Sequence, residues 1–124
     1  MQIDKELLER LFEQAKDSPR LRMNYDLRTS SADTSQRMLN ALLPGTEVPI
    51  HRHETTSETV VCLSGRLEEM IYEEKENGSF QEISRHLLCP SEGKYGIQIP
   101  AGAWHTIQVL EPSVIFEAKD GAYK

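Results

Sequence analysis

The sequence predicts an all-β sandwich or barrel with one short helix at its amino end. Three observations predict it. A 3.6-residue apolar stripe is confined to Asp4–Lys16, the repeat switches to two residues at Arg20, and seven further short β-type runs follow, each bounded by Gly, Pro, Asn or Ser.

In the first element Leu7, Leu8, Leu11, Phe12 and Ala15 share one helical face, with charges opposite and Asp4 placed to cap the amino end. Ser18-Pro19 ends the helix, because the residue before a proline is driven out of the α region. From Arg20 to Arg28, Leu21, Met23, Tyr25 and Leu27 alternate with polar residues, the pattern of a half-buried strand. After the polar loop TSSADTS come QRMLNALL, ETVVCLSG, RLEEMIYEE, FQEISRHLL, YGIQIP, WHTIQVLE and SVIFEAK. Ser64-Gly65 and Asn77-Gly78-Ser79 suit hairpin turns, and Pro44-Gly45 and Pro100-Ala101-Gly102 suit further turns. No linker or repeat divides the chain. Residues 1–19 therefore read as a helix packed on the barrel or on a partner subunit, and residues 20–124 as a single barrel.

The stretch GTEVPIHRHETTSETVVCLSG carries the chemistry. Residues two apart on a strand point the same way, so His51 and His53 present both imidazoles on one face, and Arg52 points away. A short polar bend, Glu54 to Ser57, returns the chain so that Glu58 faces the same cavity. A fourth ligand comes from elsewhere, and IPAGAWHTIQV offers His105 after a turn. The expected metal sphere is His51, His53, Glu58 and His105. His86 stands alone in SRHLLCP and reads as structural, while Trp104 should point away from the metal into the core. Imidazoles with one carboxylate suit one divalent transition metal (Zn, Fe, Mn or Ni, with Co and Cu also compatible) over Ca or Mg, which prefer more oxygens.

Composition excludes other classes. At 124 residues the chain makes one domain, and its net charge of −6 argues against a nucleic-acid or anionic-membrane partner. Cys62 and Cys89 lack a CxxC partner and read as buried thiols of a reducing compartment. No run of 18 apolar residues exists, and MQIDKELLER lacks a basic and an apolar signal region, so a cytoplasmic location is expected. No GxSxG elbow or P-loop signature points to acyl or phosphoryl transfer.

Gly45-x5-His51-x-His53-x4-Glu58-x6-Gly65 resembles the first cupin motif at every position. Pro100-x-Gly102-x2-His105 resembles the second, departing from it at Lys94, where a glycine is expected, and at Val109, where Asn is frequent. The strings RLRMNYDLR, SQRMLNALLPGT and FEAKDGAY look like the WbuC-type cupin-fold metalloproteins, a group found with bacterial surface-polysaccharide genes, and the similarity runs from about Asp4 to the carboxyl terminus. The resemblance implies a small double-stranded β-helix (jelly-roll) barrel with one N-terminal α-helix, one divalent metal in its mouth, and a homodimer. It also marks Gln36 and Arg37 as notable positions. Gln36, Met38 and Asn40 share one strand face and Arg37 the other, and one of these sets should face the cavity. Arg22 and Asn24 are placed to bind an anionic or sugar substrate at the mouth, and the hydroxyls of Tyr25, Tyr72 and Tyr95 are available for acid or base work.

Three functions fit these expectations. The favoured one is an isomerase- or epimerase-like enzyme acting on a sugar or sugar-derived small molecule, linked to bacterial surface polysaccharide biosynthesis. The others are an Fe(II)-dependent dioxygenase and a non-catalytic, metal-dependent ligand-binding or sensor module.

Overall fold

The computed structural model describes residues 1–121. Helix α1 (Lys5–Lys16) starts where expected: the Asp4 carboxylate accepts a hydrogen bond from Leu7 N at 2.9 Å, with Glu6 in the first turn and Lys16 in the last, both matched to the helix dipole. Strands β1 (Arg22–Asp26), β2 (Ser35–Leu42), β3 (Glu58–Glu74), β4 (Phe80–Leu88), β5 (Gly96–Ile99) and β6 (Trp104–Asp120) follow, with one turn of 3₁₀ helix at Pro90–Glu92. All pairings are antiparallel, in the order β1-β2-β6-β3-β4, with β5 on β3. The architecture is the small all-β barrel with an N-terminal helix that the sequence predicts.

Three local expectations are corrected. The first strand is shorter than Arg20–Arg28, because Leu21 takes φ +56, outside the extended region, and the Asp26 carboxylate accepts from Arg28 N at 2.9 Å and turns the chain. Ser64-Gly65 is not a hairpin: β3 continues through it as one strand, with register shifts against β6 between Cys62 and Leu67. WHTIQVLE and SVIFEAK likewise form one strand, β6, in which Pro112 falls at the same irregularity and so costs no ladder bond. There Gly65 has φ +101, and a Cβ on it would lie 2.3 Å from Pro112 O. The buried Ser113 hydroxyl accepts from Arg66 N at 3.0 Å and donates to Glu111 O at 2.7 Å, meeting the groups the irregularity exposes.

This double bend lets β3 and β6 serve both walls of the barrel. The amino half of β3 pairs with β5 and the carboxyl half of β6, and its carboxyl half pairs with β4 and the amino half of β6. Leu42, Val60, Leu67, Leu88, Ile99 and Ile115 fill one apolar core. On β2 the alternate residues Leu39 and Ala41 face outward and, with Val114, take Leu7, Leu11 and Ala15 of α1 into a second core. The helix thus covers the outer face of β1 and β2 on its own barrel. Cys62 and Cys89 are free and buried. No helix among the described residues is long and apolar enough to cross a membrane.

Candidate metal centre

The segment carrying the first two histidines is tied to the start of β6. His51 N donates to His105 O at 3.0 Å, His105 N donates to His51 O at 2.8 Å, and Gly102 N donates to His53 O at 2.8 Å. Imidazoles from distant parts of the chain are thereby set side by side. Ring centroids lie 4.2 Å apart for His51 and His105, 5.5 Å for His51 and His53, and 5.8 Å for His53 and His105.

Hydrogen bonds select the tautomers. His51 Nδ1 lies 2.9 Å from Pro49 O and His105 Nδ1 lies 3.0 Å from Ala103 O. A carbonyl only accepts, so in both rings Nδ1 carries the proton and Nε2 keeps its lone pair, the arrangement that orients a metal-binding imidazole. His105 is 2 % exposed and its Nε2 is buried without a hydrogen-bond partner. Burial holds the His105 pKa down to about 4, and burial followed by the neighbouring His51 lowers that of His53, so both rings are neutral at pH 7. One ligand atom from each of the three histidines lies within 4.8 Å of the others. Neutral, converging imidazoles with an unmet buried nitrogen fit a divalent transition metal, which these three residues would hold.

Glu58 stands against the triad, Oε2 at 3.1 Å from His53 Nε2 and Oε1 at 3.9 Å from His105 Nε2. Burial, and then Glu117, pushes its carboxyl up to about 8. A cavity of about 490 Å³, the size of a small-molecule site, is lined by His51, His105 and Glu58.

The structure distributes the other expected residues. Gln36, Met38 and Asn40 line this cavity. Arg37 is on the opposite face of β2, paired with Asp33 at 3.0 Å, because alternate residues of a strand face opposite ways; it does not reach the triad cavity. Arg22 and Asn24 line the cavity, Arg22 Nη1 donating to Glu47 O at 2.8 Å. Tyr95, expected at the substrate, is 62 % exposed outside the cavity, its carbonyl accepting from Cys62 N at 2.6 Å. Trp104, expected in the core, is only half-buried: it turns away from the metal but is covered by the Arg52 guanidinium, 4.5 Å from its ring centroid, and by Phe80 at 5.0 Å. His86 is exposed on β4, 3.1 Å from the Ser84 hydroxyl.

Glu69 and Glu117 are among the cavity residues that escape the sequence reading, as are Arg20 and Arg28. Glu69 is 2 % exposed, and Glu117 accepts from Asn40 Nδ2 at 3.3 Å. Burial, then Glu58 and Glu117, raises the Glu69 carboxyl well above the usual range, and burial raises that of Glu117. A signal was present: Leu67-x-Glu69-x-Ile71 and Ile115-x-Glu117 put a carboxylate in phase with core aliphatics.

A family model described as "Domain of unknown function (DUF6016)" matches residues 3–84, which takes in His51, His53 and Glu58 and stops before His105. No curated protein matches the sequence. Among solved structures, the capsular polysaccharide assembling protein CapF of Staphylococcus aureus aligns with 77 % of this chain and 27 % of its own, at 21 % identity and a TM-score of 0.60. A dTDP sugar isomerase from Desulfovibrio desulfuricans aligns with 81 % of this chain and 68 % of its own, at 16 % identity and a TM-score of 0.62. The Escherichia coli ribosomal oxygenase YcfD aligns with 72 % of this chain and 24 % of its own, at 20 % identity and a TM-score of 0.58. The chain spans about a quarter of CapF and of YcfD. At such identities the likeness is one of fold.

Proposed function

The chain belongs to the DUF6016 family and is built on the cupin barrel, and from that premise we propose a divalent-metal-binding enzyme that isomerises or epimerises a sugar or sugar-derived small molecule. The observation that carries the reading is the convergence of His51, His53 and His105, two of which, His51 and His105, line a cavity that holds both polar and apolar side chains, with the His105 Nε2 lone pair buried and unmet.

A bound divalent cation would supply Lewis acidity toward a carbonyl or hydroxyl oxygen. The chain's own residues supply the rest. Isomerisation and epimerisation remove a proton from the carbon beside a carbonyl and return it, with no oxidant required. Glu69 and Glu117 face the same cavity, and burial raises the proton affinity of both carboxyls, which suits groups that exchange a proton with a substrate there. Asn40 fixes one Glu117 oxygen and so orients that carboxyl. Glu58, in reach of two of the histidines, would complete the ligand set expected from the sequence and reduce the charge of the site.

A link to surface polysaccharide chemistry is part of the proposal, supported by the fold shared with CapF, as the choice of reaction is by the fold shared with a sugar isomerase. The test is metal analysis of protein purified without added metal, followed by incubation of the metal-loaded protein with aldoses and ketoses in D₂O. Deuterium entering at the carbon beside the carbonyl, and lost in a His51→Ala, His53→Ala variant, supports the reading. Metal binding with no exchange on any sugar would remove the catalytic claim and leave a ligand-binding module. Equal metal in both proteins would end the site assignment.

A further inference from the structure

We propose that the cavity receives a polyhydroxylated ligand with an anionic outer end, its hydroxyls taken by Glu69 and Asn40 and its anion by Arg20, Arg22 and Arg28. This deepens the metal-dependent sugar reading and rests on it.

The inner half rests on two unmet atoms. Glu69 Oε2 and Asn40 Oδ1 are both buried without a hydrogen-bond partner, and both residues line the cavity that the histidines open into. Buried polar atoms in folded proteins are nearly always paired, because an unpaired one is destabilising, so two orphans in one cavity mark where a ligand completes the set. They also restrict its chemistry. The Asn40 amide turns its Nδ2 to Glu117, which leaves Oδ1 as an acceptor that needs a donor. A carboxyl accepts when ionised and donates when protonated, and a hydroxyl satisfies it in either state. A ligand carbonyl cannot serve Asn40, and an ammonium is repelled by a metal dication and by the arginines at the mouth. Hydroxyl groups meet every requirement.

The outer half rests on β1 and its flanks. Arg22, on β1, and Arg20 and Arg28, which flank it, line the cavity beside Asp26, and the cavity's other carboxyls, Glu58, Glu69 and Glu117, lie on β3 and β6. Arg28 clasps Asp26 through Nε at 3.1 Å and Nη2 at 3.0 Å, and Arg22 is held in place by Glu47 O and by the Thr46 hydroxyl at 3.3 Å. With Arg28 balanced by Asp26, Arg20 and Arg22 leave an excess of positive charge on this side of the cavity, on a chain of net charge −6, which suits a phosphate or carboxylate.

Calorimetric titration of the metal-loaded protein with hexose phosphates, hexuronates, free hexoses and inorganic phosphate tests the proposal. Anionic sugars should bind about tenfold tighter than either free hexoses or phosphate alone. The phosphate and uronate arms show which anion the mouth prefers. Glu69→Leu should raise the Kd for these sugars by about tenfold or more and leave that for inorganic phosphate unchanged. Glu69→Gln, which keeps the shape, should weaken the same sugars about threefold. Arg20→Ala with Arg22→Ala should erase the preference for the anionic sugars. No binding by any sugar, or Glu69 variants within about twofold of wild type, would overturn the proposal. Metal content measured on the same samples separates the two readings. Wild type without metal counts against the metal-dependent function, whereas full metal with unaltered affinity in Glu69→Leu counts against this inference alone.

Discussion

His51 and His105 grip one another through their backbones, each N–H donating to the other's carbonyl at 3.0 and 2.8 Å, and this reciprocal bridge sets their imidazoles 4.2 Å apart. The candidate metal site is thus held by main chain, and side-chain losses at it should act on metal binding more than on folding.

Zn²⁺ or Mn²⁺ should therefore raise the melting temperature of the metal-free protein. A free metal concentration of a hundred times Kd adds about 2.7 kcal/mol of stability. In His105→Ala the added metal should produce no shift in differential scanning calorimetry. A variant that shifts as far as wild type would remove His105 from the ligand set.

The metal-free protein should lose stability between about pH 6.5 and 8. Glu58 and Glu69 hold their protons more tightly when folded, so their contribution is complete below the ordinary carboxylate range and is lost as pH rises, through about 8 for Glu58. His105, depressed to about 4, acts in the opposite sense: its contribution is present above the unfolded value near 6.5 and lost as pH falls through 4. Below pH 6.5 the two effects oppose each other, and above it only the carboxylates act, at up to about 1.4 kcal/mol per pH unit for each group. Glu69→Gln should flatten urea-derived stability over that upper window. A wild-type curve that rises from pH 6.5 to 8 would contradict this balance.

Gly65→Ala should be far worse than Gly78→Ala. Both glycines have positive φ, but a Cβ at Gly78 meets nothing within 4 Å, whereas at Gly65 it meets Pro112 O and the Ser113 side chain. Gly78→Ala should cost about 1–2 kcal/mol. Gly65→Ala adds overpacking of about 1–3 kcal/mol more, and equal urea midpoints would show that the β3–β6 irregularity can relax.

Arg52→Ala should shift Trp104 emission to the red and cost about 0.5–1 kcal/mol, because the guanidinium shields one face of the chain's single tryptophan. Emission unchanged from wild type would mean that the pair does not persist in solution.

Much of the site was legible because its geometry is local. His51 and His53 share a face by the two-residue repeat alone, the bend from Glu54 to Ser57 brings Glu58 back, and the turn before His105 is written in Pro100 and Gly102. The assignment of faces was less legible. Glu68 and Glu69 are adjacent in a run rich in glutamate, and which of them enters the barrel depends on the register shifts around Gly65. A one-residue change of register moves a whole strand's side chains to the other face. Arg37 falls outside the cavity because it alternates with Gln36 on β2, and Tyr95 precedes β5 and is exposed. Trp104, expected in the core, has Arg52 and Phe80 over it instead.

The sequence by itself determined the helix with its Asp4 cap and the β class, and it placed His51 and His53 on one face, since each follows from short-range periodicity and turn chemistry. Only the tertiary structure decided that Ser64-Gly65 is a bend within one long strand, that Glu69 and Glu117 join Glu58 inside the barrel, and that Arg20 and Arg28, flanking β1, line the same cavity as Arg22. Those outcomes depend on pairings between residues far apart in the chain, whose register is set by the sum of contacts across the barrel and by no single segment.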